Sequence, residues 1–224
     1  MGGASGRRRR AGWIGFEDDE APARAPLSRR RVVEAAVALV DAAGLEALSI
    51  RRLAGELDVT PMAIYGHVAS KEELLGLMLD VVLGEVDLAG LPRQALPAAR
   101  ALIGRVNQVL ERHGGVARVY AGPVRIGPNG VRIVDALLGQ LTRAGLEPPR
   151  AAAAFMALFT FTTGHHQIGR AAGDEESRAA LAGPGLSAAA AAAAPHLLAG
   201  RSRTQRFEDG LDLLLDGIRA RLAP

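Results

Sequence analysis

The chain has 224 residues, a net charge of +3, 49% hydrophobic residues and no cysteine. That length suits one or two helical domains with a sizeable core, and the missing cysteines exclude a disulfide framework and a thiolate metal site. No uncharged apolar run reaches the ~18 residues of a membrane span, and four arginines followed by a short apolar stretch and an acidic run do not make a signal peptide, so a cytoplasmic protein is expected.

Charge is spread unevenly. Residues 1–31 hold eight arginines against four acids, a balance of +4, whereas residues 32–75 hold Arg51, Arg52 and Lys71 against seven acids, a balance of −4. Bulk charge therefore does not announce nucleic-acid binding, and a few placed cations would have to supply any phosphate contacts. Residues 1–27 read as a disordered arm with little apolar surface to offset the entropy of ordering. Within it, Arg7–Arg10 either lie along a duplex or remain a solvated tail.

Helical periodicity begins after Ser28, a candidate N-cap. Val32, Ala35, Ala36, Leu39 and Val40 form one stripe, and Gly44 is placed to end the helix. Two short helices follow. Ser49 caps Ile50–Leu57, and Thr60-Pro61 opens the next, with proline at the first position where its missing N–H costs nothing. Only Asp58-Val59 separates them. Ser70-Lys71-Glu72-Glu73 is a capping box that starts a longer helix towards Leu88.

Beyond Pro92 the spacing predicts helices over about Pro97–Arg112, Gly130–Ala144 and Pro149–Ala171, the second with Val131, Val134, Leu137, Leu138 and Leu141 in register. Residues 173–200 are low in complexity, with an alanine run at 188–194. The last helix carries the stripe Phe207, Leu211, Leu214, Leu215, Ile218 and Leu222, with acids early and Arg219 and Arg221 late. No alternating pattern competes, so the expected fold is all-α: a helix-turn-helix head over 28–90 and a helical C-terminal domain over 91–224.

The informative stretch is Leu48–Val68. Two short helices joined by a tight turn, with Leu53, Ala54, Leu57, Val59 and Ile64 facing inward, make a helix-turn-helix whose second helix is free to enter a major groove. The segment from Ala43-Gly-Leu-Glu through Arg51-Arg-Leu-Ala, then Val59-Thr-Pro, Ile64-Tyr-x-His-Val and Lys71-Glu-Glu-Leu-Leu, resembles the head of the TetR family of repressors. Phe207-Glu-Asp-Gly-Leu-Asp-Leu-Leu-Leu-Asp-Gly-Ile218 resembles the C-terminal end of the tetracycline-repressor branch.

The resemblance implies a homodimer on palindromic operator DNA, released by a small, largely apolar effector, with no cofactor, no metal and no membrane. It implies that Arg51 reaches a base edge or the adjacent backbone, that Thr60, Pro61, Met62 and Ala63 face the groove floor, and that Tyr65, His67 and Lys71 touch phosphates, with Ser49 beside them. Each has a plainer alternative: Tyr65 packed on the first helix, His67 as a cap, Lys71 solvated, and Arg52 rather than Arg51 towards the DNA. Asp58 stands where the family usually has glycine, and Gly66 where it often has a larger residue.

Phe155 and Phe159 followed by Thr162-Thr163-Gly164-His165-His166 suggest an effector cavity. Phe159 would be its apolar wall and Thr162, His165 and His166 its polar contacts; alternatively the same polar groups are satisfied across a dimer interface. Adjacent histidines diverge on a helix and cannot chelate one ion together. In the tetracycline-repressor branch, a histidine early in the body holds the drug's magnesium, and Val119 aligns there, so a magnesium–tetracycline chelate is not the expected effector. The rival readings are a helical ligand carrier or an enzyme without operator binding; no nucleophile elbow, metalloprotease helix or phosphate loop favours the enzyme.

Overall fold

Ser28 accepts the Arg31 N–H at 3.2 Å and starts α1, Arg29–Ala43. The computed structural model describes residues 26–121, 126–168, 185–198 and 202–222, so Arg7–Arg10 lie outside the described residues. α1 buries Val32, Val33, Ala36, Val37, Leu39 and Val40 and stops at Gly44. There φ is +84°, a left-handed turn suited to glycine, and the amide bonds back to the Val40 carbonyl at 2.8 Å. After a single 3-10 turn, Leu45–Ala47, Ser49 caps α2, Ile50–Leu57, through the Arg52 N–H.

α2 ends at Asp58 with φ 54° and ψ 51°, the left-handed conformation that aspartate tolerates better than most residues. Thr60 then caps α3, Pro61–Tyr65, through the Ala63 N–H at 3.2 Å. α4 runs Lys71–Gly84, one turn shorter than the sequence suggested. Ser70 accepts the Glu73 N–H as expected, but the return half of the capping box is displaced. Glu73 takes the Ala69 N–H at 2.5 Å instead of the cap residue's own, and its other oxygen pairs with Arg29.

The body contains α5 (Ala95–Arg112), α6 (Gly114–Ala117), α7 (Pro128–Arg143), α8 (Pro148–Ile168), α9 (Ala188–Leu198) and α10 (Arg203–Ala220). No strand occurs among the described residues. α5 packs against α7, α8 and α10, and α8 packs against α7 and α10. α4 contacts α1 on one side and α5, α6 and α7 on the other, so one helix belongs to both the head and the body. The segment after α4 is held by arginines. Arg105 bonds the Asp87 and Ala89 carbonyls at 2.8 and 2.6 Å, Arg132 bonds Val86 O at 3.0 Å, and Arg143 bonds Arg93 O at 2.8 Å. These cations satisfy carbonyls that a helix end and a turn leave without partners.

One expected face is corrected and one holds. In α7 the buried set is Gly130, Ile133, Leu137 and Leu141, while Val131 is 51% exposed. The period is right but the face is rotated, because Gly130 rather than Val131 sits against Ile126, where a Cβ would lie 2.7 Å from its Cγ1. In α10 the stripe Phe207, Leu211, Leu215 and Ile218 is buried within a single subunit and Leu214 is half-buried. That face fills the seam against α8 and α5 and is not left over for a partner.

Candidate DNA-binding face and ligand cavity

The head presents its recognition elements outward because its apolar residues all point the other way. Leu53, Ala54, Leu57 and Ile64 are buried against α1 and α4, with Val59 half-buried at the turn. On the outer side, Met62 is 77% and Tyr65 49% exposed, so Tyr65 is not packed away on the first helix. Thr60 and Pro61 are exposed beside them and Ala63 is half-buried. Arg51 and Arg52 are both exposed on α2, as is Ser49, whose hydroxyl is engaged as the α2 cap.

His67 is half-buried just past α3. Lys71 has a structural bond: its ammonium donates to the Leu48 carbonyl at 2.9 Å, tying the start of α4 to the entry of α2. An ammonium has three donors, so two remain for a phosphate.

Behind the head lies a cavity of about 490 Å³. Its walls are Leu79, Asp80 and Leu83 of α4, Ile103, Val106 and Leu110 of α5, Ile133, Val134 and Leu137 of α7, and Phe155, Met156, Phe159, Thr162 and Thr163 of α8. The Phe155 and Phe159 rings stack at 6.0 Å, 11° apart. Thr162 and Thr163 donate their hydroxyl protons to the Leu158 and Phe159 carbonyls, which leaves their oxygens as acceptors. Phe159 and Thr162 are thus on the cavity wall.

His165 and His166, expected as polar ligand contacts, do not line that cavity. One turn beyond the threonines they point into the seam with α5 and α10. His166 is 8% exposed, between Asn107 Oδ1 at 2.9 Å and an Arg203 guanidinium nitrogen at 3.0 Å. A guanidinium only donates, so Nδ1 of His166 must accept and Nε2 must carry the proton. His165 stacks edge-on against Phe207 at 5.1 Å, and its buried Nε2 has no hydrogen-bond partner among the described residues. Burial first, and then the positive charge of Arg203, hold both imidazoles down to about 4. His166 is therefore a neutral member of the subunit's own core.

Three residues escaped the sequence reading. Asp80 of α4 caps α7: its Oδ1 accepts the amides of Asn129 at 2.9 Å and Gly130 at 3.1 Å, and Asn129 Nδ2 returns to the Asp80 carbonyl at 3.0 Å. His113, at the end of α5, faces Asp41 of α1 at 2.7 Å and Glu85 just past α4 at 3.0 Å. The Pro128-Asn129-Gly130 helix start was the one available signal for the first pair. Nothing in the sequence marks the partners of His113, which come from separate elements.

A family model described as the tetracyclin repressor-like C-terminal domain matches residues 97–222, and one for bacterial regulatory proteins of the tetR family matches residues 32–78. The chain belongs to the TetR family. Among its relatives is the HTH-type transcriptional repressor DrrR1 of Streptomyces coeruleorubidus, 35% identical over 148 residues, which are 64% of this chain and 55% of that protein. This TetR-family chain thus spans little more than half the length of that relative. The tetracycline repressor protein class A of Escherichia coli is 30% identical over 87% of this chain and 92% of its own length. The TetR family protein ActR of Streptomyces coelicolor, solved in complex with actinorhodin, superposes with a TM-score of 0.75 at 31% identity, covering 89% of this chain and all of that one. Among the described residues of this TetR-family member, no helix is long and apolar enough to cross a membrane.

Proposed function

We propose that this protein is a ligand-responsive transcriptional repressor. In this reading a homodimer sits on a palindromic operator and is released when a small, largely apolar molecule occupies the cavity. The observation that carries it is the double membership of α4. The helix packs under α1 in the head, and it also supplies Leu79, Asp80 and Leu83 to the cavity wall. Occupancy can therefore bias the head, to the extent that the ligand prefers one arrangement of α4 over another.

On the DNA face, Arg51 reads a base edge, Thr60, Pro61, Met62 and Ala63 lie on the groove floor, and Tyr65, His67, Lys71 and Ser49 meet the backbone. With Met62 so exposed, apolar contact with thymine methyls is a main source of discrimination. Similarity to the transcriptional repressor DrrR1 supports the regulatory role, and the ligand-bound ActR supports a small-molecule effector. Dimerisation is assigned to the outer faces of α8 and α10, where Leu213 is 74% exposed.

The test is a gel shift of the purified protein on the intergenic DNA beside its own gene, with scrambled DNA as control, repeated with hydrophobic compounds that raise its melting temperature. Retarded operator that such compounds release supports the repressor. Equal affinity for operator and scrambled DNA would refute it, and a compound that is turned over would favour an enzyme.

A further inference from the structure

Taking the cavity as the effector site, we infer that its ligand is an apolar, planar molecule carrying a positive charge, and that Asp80 receives that charge. Asp80 is the one ionisable side chain on the cavity lining among the described residues; the other lining residues are aliphatic, aromatic, glycine, methionine or threonine. A lone carboxylate in apolar walls fixes a preference by sign, since a cation gains there what an anion would lose.

Its two oxygens are not equally engaged. Oδ1 takes both α7 amides, whereas Oδ2 has, among the described residues, only Asn129 Nδ2 at 3.2 Å. A carboxylate offers about four lone-pair sites, so Oδ2 retains acceptor capacity.

The surroundings point the same way. The chamber adjoins a second, more polar cavity of about 620 Å³ that shares Gly76, Asp80, Ile126 and Gly127 with it. That outer cavity adds Glu72 and Glu73 and no basic side chain among the described residues. Asp80 therefore stands where the polar cavity meets the apolar one. Gly127 makes room for it: a Cβ there would lie 2.3 Å from the carboxylate carbon. On the α8 wall, the stacked Phe155 and Phe159 offer a flat surface for an aromatic body, and ring faces also attract cations.

A cation at Oδ2 shares the carboxylate that holds the first amides of α7, so binding is felt at the α4–α7 junction. Charge on the ligand thus serves both recognition and signalling.

The experiment titrates the purified full-length protein with three tricyclic fluorophores of similar size at neutral pH: 9-aminoacridine (a cation), acridine (neutral) and acridine-9-carboxylate (an anion). The expected order is cation, then neutral, then anion, with about tenfold between the first two. Asp80→Asn keeps an excellent helix-capping side chain and removes the charge. It should erase the preference for 9-aminoacridine and leave acridine binding unchanged, with helicity checked by circular dichroism. Equal affinities, or a preference for the carboxylate, would overturn the charge inference while leaving the cavity as the effector site. A cation preference that survives in Asp80→Asn would remove Asp80 from the role. If none of the three binds, the cavity reading itself fails and the inference with it. If the variant does not fold, the ranking on the unmodified protein still decides the sign.

Discussion

Gly115→Ala should loosen the seat of the head without touching DNA or ligand. Gly115 lies in α6 against α1, and a Cβ there would sit 2.6 Å from Val40 Cγ1 and 3.0 Å from the Val40 carbonyl oxygen. Carbon atoms prefer about 3.5–4.0 Å, so α1 and α6 must part by about 1 Å. Valine is stiff and the carbonyl is backbone, so neither neighbour gives way easily. Overpacking of this kind costs about 1–3 kcal/mol, and alanine over glycine in a helix returns up to about 1 kcal/mol, leaving a net loss of about 1–2 kcal/mol. For a chain of this size that lowers Tm by about 2–8 °C.

Because α1 carries the head, operator affinity should fall as well, while 9-aminoacridine binding stays as it was. Gly114→Ala is the control, since nothing lies within 4 Å of its Cβ position. Urea unfolding and gel shifts on the three proteins provide the measurements. Equal stability of the two variants, or full operator affinity in Gly115→Ala, would refute the coupling through this contact.

Leu213→Glu, at a position 74% exposed, should give a folded monomer by light scattering, whereas Phe207→Ala, at 1% exposed, should cost about 3–5 kcal/mol; a folded dimer from the first would dismiss the α8–α10 interface. Lys71→Met should lower stability by about 1 kcal/mol through loss of the Leu48 carbonyl bond and flatten the salt dependence of DNA binding, an unchanged salt slope counting against the phosphate role. Stability should fall with acidity in a defined window: His165 and His166 are held at about 4 in the fold against 6.5 when free, so between those values the unfolded chain binds more protons and is favoured as pH drops. His166→Gln should reduce the slope of Tm with pH in that range, and the same slope in both proteins would exclude His166 as its source.

The head was legible nearly to the residue because its signals are local. Ser28, Ser49, Thr60-Pro61 and Ser70 each act within one helical turn, and all four cap where their spacing says. The body was legible in element order but not in every face. A run as apolar as Val131–Leu141 has several defensible buried stripes, and only the neighbouring helices choose among them, whereas the stripe of α10 was legible.

The cavity was half visible. Phe159 and Thr162 stood out because composition changes along α8, but the same change continues through His165 and His166, which a further turn carries into the Asn107 and Arg203 seam. Asp80 was invisible for a different reason. It is the one acid in the apolar stretch Leu74–Leu83 of α4, and its partners Asn129 and Gly130 lie about 50 residues away in the chain.

The position of α4 also limits how this protein can be retargeted as a biosensor. Leu74, Met78 and Val82 fill the shared core, while Leu79, Asp80 and Leu83, interleaved with them, touch whatever fills the cavity. A library built on α4 would therefore vary ligand choice and resting repression together, and screens for a new inducer would recover leaky variants. Substitutions at Val134 and Phe159, on helices whose main packing is with elements other than α1, separate the two traits and are where a new specificity can be selected with the DNA response intact.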